Sequence, residues 1–167
     1  ALRFFLAAFP AVFFIKRPTI PFRKVAAFGL VMFALQFALL FSGMYAGATA
    51  GLASLMLQVH VFFTVILAVA FLGEQPSIWQ IIGAITSFAG LGLVATNLGG
   101  EISALGLLLI IAAAASWGVG NLISKKLGKV DMLALVVWGS LVAWPPLLLL
   151  SFFLEPGSWN LETISHL

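Results

Sequence analysis

Long apolar runs, interrupted only by charges, prolines and glycine clusters, dominate this chain and leave one environment open to it. A helix needs about 20 predominantly apolar residues to cross a hydrocarbon core of roughly 30 Å. Five runs meet that length, over residues 25–45, 48–72, 78–96, 102–123 and 132–154. A sixth, over residues 1–15, ends at Lys16 and falls short of the far interface at about 1.5 Å of rise per residue, so the chain reads as a fragment cut inside a helix. Strands of an outer-membrane barrel would instead alternate in segments of about ten residues. Because every backbone polar group in lipid must be paired internally, continuous apolar runs predict an all-α, polytopic membrane helix bundle.

Composition supports this reading and closes the alternatives. Apolar residues make up 63% of the chain and charged ones 8%, where a soluble domain carries about 25% charge to keep its surface wet. Disorder requires low hydrophobicity, and a disulfide scaffold requires cysteine, of which there is none. The net charge of +3 rests on few cations at segment ends, which points to membrane topology and not to nucleic acid. No charged leader followed by a short apolar stretch and a small-residue cleavage site is visible. Chemistry inside the membrane would need converging nucleophiles, metal ligands or paired acids, and the spans offer one histidine and none of these. No catalytic residue, metal or cofactor is therefore expected.

The breaks between spans carry turn chemistry: Pro18 and Pro21, then Gly73, Gln75 and Pro76, then Asn97, Gly99 and Gly100. Such short connections predict antiparallel neighbours. Lys16, Arg17, Arg23 and Lys24 occupy one loop and Lys125, Lys126 and Lys129 another of the same parity. Seven of the eight Lys and Arg thus share one face, which the positive-inside rule makes cytoplasmic. Glu74 falls on that face, as an interface residue or a partner for the basic loops. Glu101, Glu155 and Glu162 fall on the other, with Trp159 suited to the outer interface of an external loop.

Sliding the chain against itself aligns Leu6, Ala8, Phe9 and Pro10 with Leu141, Ala143, Trp144 and Pro145. The matched helices are an odd number of spans apart, so the second copy enters from the opposite side. Inverted repeats are a transporter signature, with the substrate held near the midplane. Three stretches then resemble one family. Leu2-Arg3-Phe4-Phe5-Leu6-Ala7-Ala8-Phe9-Pro10 with Lys16-Arg17-Pro18, Gly51-Leu52-Ala53-Ser54-Leu55 with Gln58, Phe62-Phe63-Thr64 and Gly73-Glu74, and Ala115-Ser116-Trp117-Gly118-Val119-Gly120-Asn121 with Lys125-Lys126 are similar to the EamA-like branch of the drug/metabolite transporter superfamily. The combination is most similar to the O-acetylserine/cysteine exporters. The resemblance implies a parent of ten helices in two inverted repeats. Residues 1–98 would supply the last four helices of the first repeat, and residues 102–167 the first two of the second plus an external loop.

Polar side chains within the spans are the functional candidates, because hydrocarbon tolerates them only with a partner or a wet cavity. Arg3 either snorkels to the headgroups or lines the outer mouth of a cavity, where it would attract a carboxylate. Gln36, midway along its helix, both donates and accepts and suits a zwitterion, with interhelical bonding as the alternative. Ser54 and Gln58 share one helical face and His60 and Thr64 another, pointing about 200° apart. Only one pair can face a cavity, and the family resemblance favours Gln58. An imidazole ordinarily changes charge near neutral pH, which makes His60 a candidate proton carrier, but burial in low dielectric favours the other reading, a neutral histidine bonded to a neighbouring helix. Trp117 and Asn121, one turn apart, join an aromatic wall to an amide. Pro145-Pro146 should kink the last helix. Small residues four apart, including Gly47 and Gly51, Gly83 and Ser87, Thr86 and Gly90, and Ser116 and Gly120, suit close helix packing.

The expected protein is a multi-pass bacterial inner-membrane carrier that exports small metabolites, of the cysteine and O-acetylserine type, by alternating access. The substrate-binding residues are Arg3, Gln36, Ser54, Gln58, Trp117 and Asn121, with His60 for proton coupling. A drug or lipid-linked-sugar exporter on the same scaffold, or a non-transporting assembly subunit, is the alternative. Its partners are a small-molecule substrate and membrane lipid, with a homodimer left open.

Overall fold

The computed structural model describes residues 2–97 and 103–154. Glu101, Glu155, Trp159 and Glu162, expected on the outer face, lie outside the described residues. All regular structure among the described residues is helical: α1 (Leu2–Ala8), α2 (Ala11–Phe14), α3 (Phe22–Gly29), a π-helical turn (Leu30–Leu35), α4 (Gln36–Tyr45), α5 (Ala50–Leu57), α6 (His60–Leu72), α7 (Ile78–Asn97), α8 (Ala104–Lys126) and α9 (Met132–Leu154). Four helices among the described residues are long and apolar enough to span a bilayer: Phe22–Tyr45, Ala50–Leu72, Ala104–Lys126 and Met132–Phe153. Leu2–Phe14 and Ile78–Gly90 are shorter apolar stretches.

Short polar side chains start most of the later helices. Thr49 accepts from Leu52 N at the head of α5, and Asp131 Oδ1 accepts from Leu133 N and Ala134 N at the head of α9, at 2.9 and 3.2 Å. Ser77 and Gln80 form a reciprocal capping box on α7: Gln80 N donates to Ser77 Oγ at 3.3 Å, and Ser77 N to Gln80 Oε1 at 2.8 Å. Ser103 Oγ accepts from Gly106 N at 2.9 Å and itself donates to the Ala46 carbonyl, tying the start of α8 to the end of α4. Gly73, at φ +66°, closes α6 in a left-handed conformation that turns its N–H and that of Glu74 back onto Val69 O and Ala68 O.

The chain divides into two compact units, Ala1–Ala34 with Leu127–Leu167 and Leu35–Lys126. In the first, α9 is the common partner of α1, α2 and α3. The segments matched by the internal repeat lie against each other there, with Phe5 and Trp144 ring centroids 5.3 Å apart and Ala8 and Ala143 fully buried. Trp138 Nε1 donates to Ile15 O at 3.3 Å, so α9 runs antiparallel to α1 and α2. Backbone meets backbone at Gly29 and Gly139, where a Cβ on Gly29 would fall 2.4 Å from the Gly139 oxygen. α9 continues helical through Pro145 and Pro146, which have no N–H to give to the ladder.

In the second unit α8 is central, packed by α4, α5 and α6. Gly43 meets Ile110 and Gly106 while Ala46 meets Ser103, so α4 and α8 are antiparallel. α6 and α8 are parallel, as the contacts below show. Of the small residues four apart, Ser116 and Gly120 are buried on α8, whereas Gly47, Gly51, Gly83 and Gly90 have nothing within 4 Å of where a Cβ would stand. The glycines that do admit a partner are Gly29, Gly43, Gly106, Gly118 and Gly139, which pattern alone did not separate from the rest.

Candidate functional site

The second span does not cross as one smooth helix. At Gln58 and Val59 the bonds shorten to three-residue steps, with Gln58 N donating to Leu55 O and Val59 N to Met56 O, both at 3.1 Å. α5 ends there and α6 begins at His60. The His60 ring closes the gap, its Nδ1 lying 2.8 Å from Leu57 O. A carbonyl only accepts, so Nδ1 donates in this contact.

From this break, α6 lies along α8 with contacts that advance in step. The His60 and Trp117 rings stack with centroids 4.5 Å apart and planes at 27°. Gly118 sits against Phe63, where a Cβ would come 2.7 Å from Phe63 Cβ and 3.1 Å from backbone atoms of Phe63 and Thr64. One turn on, Asn121 Nδ2 donates to Thr64 Oγ1 at 3.0 Å, and Thr64 Oγ1 donates to His60 O at 2.9 Å. Lys126 Nζ lies 5.2 Å from the Phe71 ring centre, and Lys125 Nζ pairs with Glu74 Oε2 at 2.7 Å. The last contact is the partnership between Glu74 and a basic loop that the sequence raised as one option.

Burial distinguishes the polar members of this seam from core. His60, Thr64, Trp117 and Asn121 are all half-buried, so each keeps a reachable edge. Gln36, at 1% exposure, is fully buried, and its Nε2 has no hydrogen-bond partner among the described residues. It follows the π-helical turn directly, a local widening that helices often carry at functional sites. Gln36 precedes Gly43 by seven residues, roughly 10 Å of rise, which on antiparallel helices brings it level with the turn of α8 around Ser116 and Trp117.

The remaining candidates fall elsewhere. Ser54 is exposed, its hydroxyl donating to Gly51 O at 2.7 Å within its own helix. Gln58 is exposed and lines a cavity of about 710 Å³ between α5–α6 and α7, with Phe62, Ile66, Ile81, Ser87 and Phe88 among its walls. Arg3 belongs to the other unit, exposed, with its guanidinium 5.3 Å from the Phe4 ring centre. Within this unit the structure thus unites Trp117 and Asn121 with His60, adds Thr64, which the sequence noted only as the companion of His60, and separates these from Ser54 and Gln58. Among the described residues no group of three or more His, Cys, Asp or Glu is placed to hold a metal ion.

Compared with known families, residues 1–96 match the EamA-like transporter family. The chain belongs to that family. Two relatives are named "Probable amino-acid metabolite efflux pump". The Escherichia coli (strain K12) protein is 39% identical over 98% of this EamA-like chain, and the Salmonella typhimurium (strain LT2) protein 40% identical over 92%. The chain spans about half the length of these relatives, 56% and 54%. No solved structure matches.

Proposed function

We propose that this chain is part of an inner-membrane efflux carrier for small amino-acid metabolites, and that the seam of α6 and α8, with Gln36 level beside it, holds the substrate. The observation that carries this reading is the set of half-buried, uncharged hydrogen-bonding groups at one level of otherwise apolar spans: His60, Thr64, Trp117 and Asn121. Polar side chains in hydrocarbon ordinarily mark a pathway. A zwitterion presents one donor head and one acceptor head. The unpaired Nε2 of Gln36 suits a carboxylate, the Nε2 of His60, when it carries no proton, suits an ammonium, and the Trp117 face suits the apolar stem between them. Nothing in this set carries a fixed charge that would hold a product too tightly to release.

The relatives' names support an amino-acid metabolite as cargo, and the resemblance read from the sequence narrows it to the cysteine and O-acetylserine type. The antiparallel packing of α1 on α9, which carry the matched repeat segments, supports two inverted copies meeting with boundaries near residues 98 and 102. Seven of eight cations on loops of one parity support a cytoplasmic face for Lys16 and Lys125. The function is transport and not catalysis. Cells expressing the full-length parent should export labelled cysteine faster than control cells. An unchanged rate together with a broadened drug-resistance profile would move the cargo to drug-like molecules. His60→Gln should remove the pH dependence of export if His60 carries the coupling proton, and a persisting dependence would take that role away from it.

A further inference from the structure

The loop joining α2 to α3 and the first turn of α3 gather four cations within nine residues: Lys16, Arg17, Arg23 and Lys24, all exposed. Among the described residues none of them has a carboxylate partner, the single ion pair there being Lys125 with Glu74. Asp131 belongs to the same unit, and its carboxylate caps the first turn of α9. The loop is anchored. Pro18 is buried, Ile15 O is tied to Trp138, and the Arg17 guanidinium stands 5.1 Å from the centre of the Phe22 ring. Phe13 and Phe14 come just before the cations and Phe22 stands among them, at 77%, 84% and 45% exposure. Three exposed rings beside four cations that have no carboxylate partner among the described residues fit neither water alone nor hydrocarbon alone. They fit the boundary between the two.

We infer that this loop binds the headgroup of an anionic phospholipid of the surrounding leaflet, the cations taking the phosphate oxygens while Phe13 and Phe14 pack along the upper acyl chains. Clusters of Lys and Arg next to a membrane helix attract anionic lipid, and aromatic rings favour the headgroup level. An acidic protein segment would satisfy the cations but would leave Phe13 and Phe14 facing away into lipid. The phospholipid satisfies both. The inference needs the chain to span a membrane and does not depend on what the carrier exports.

The purified full-length protein in detergent should retain phosphatidylglycerol over phosphatidylcholine of the same acyl chains, read by native mass spectrometry. Replacing the four cations together (K16Q, R17Q, R23Q and K24Q) should cut that preference about tenfold or more, consistent with attraction shared over four cations. The charge-conserving set K16R, R17K, R23K and K24R should keep it, which separates lost charge from lost fold. F13A with F14A should weaken retention of both lipids while preserving the preference. Soluble glycerol 3-phosphate in excess should fail to displace the lipid. Equal retention of the two lipids, a preference untouched by the glutamine set, or displacement by glycerol 3-phosphate would each overturn the proposal.

Discussion

Helix α6 has two faces with opposite fates. Toward α8 it meets a seam in which Gly118 admits the Phe63 backbone, Asn121 bonds Thr64, and Glu74 pairs with Lys125. Toward α7 it touches at Phe62 and Phe88, ring centroids 3.8 Å apart, and otherwise lines an open cavity of about 710 Å³. Both partners offer glycine: Gly118 on α8, Gly83 and Gly90 on α7. In lipid, helices gain nothing hydrophobic from meeting, so contact depends on shape and on hydrogen bonds across the interface. α8 supplies both with Gly118 and Asn121, whereas Gly83 and Gly90 have no backbone opposite them. A small residue permits close approach but does not cause it.

The largest test of this contrast places the same side chain on each wall. Gly118→Leu must push on backbone atoms already 3.1 Å from its Cβ position, and should destabilise the full-length protein by about 1–3 kcal/mol in thermal unfolding in detergent. Gly83→Leu, which meets nothing within 4 Å, should stay within about 0.5 kcal/mol. Equal losses would erase the distinction between seam and groove. A double-mutant cycle of Thr64→Val and Asn121→Leu gives a smaller effect, a coupling of about 0.6 kcal/mol, the average for such bonds in a membrane bundle. A coupling of zero would mean the bond does not hold the seam. The smallest belongs to Glu74 and Lys125, whose side chains are 48% and 47% exposed. Glu74→Gln should change stability by at most a few tenths of a kcal/mol, and the difference should vanish in high salt.

The spans were legible because hydropathy over about 20 residues is set by the bilayer and needs no knowledge of tertiary packing. Glu74 and the basic loops were legible as an option because loop parity put them on one side. Three features were not. Neither the break at Gln58 and Val59 nor the π-helical turn before Gln36 is marked by proline or glycine at that point, and only the changed hydrogen bonding reveals them. The pairing of α6 with α8 joins Thr64 to a residue 57 positions away, whereas short loops by themselves predict only the pairing of successive helices. The break also bears on the two faces read from ideal helix geometry, leaving Gln58 toward α7 and His60 toward α8. One further signal lies in the sequence: Ser77 with Gln80 three residues on is a capping box that marks the start of α7.

Exchanging one amide on each face of α6 asks most directly where the cargo passes. Export of labelled cysteine from cells should fall to near background in the full-length protein carrying Asn121→Leu and stay close to the parent rate with Gln58→Leu, at equal amounts of inserted protein. Loss of export with Gln58→Leu and retention with Asn121→Leu would contradict the account, placing the pathway in the groove beside α7.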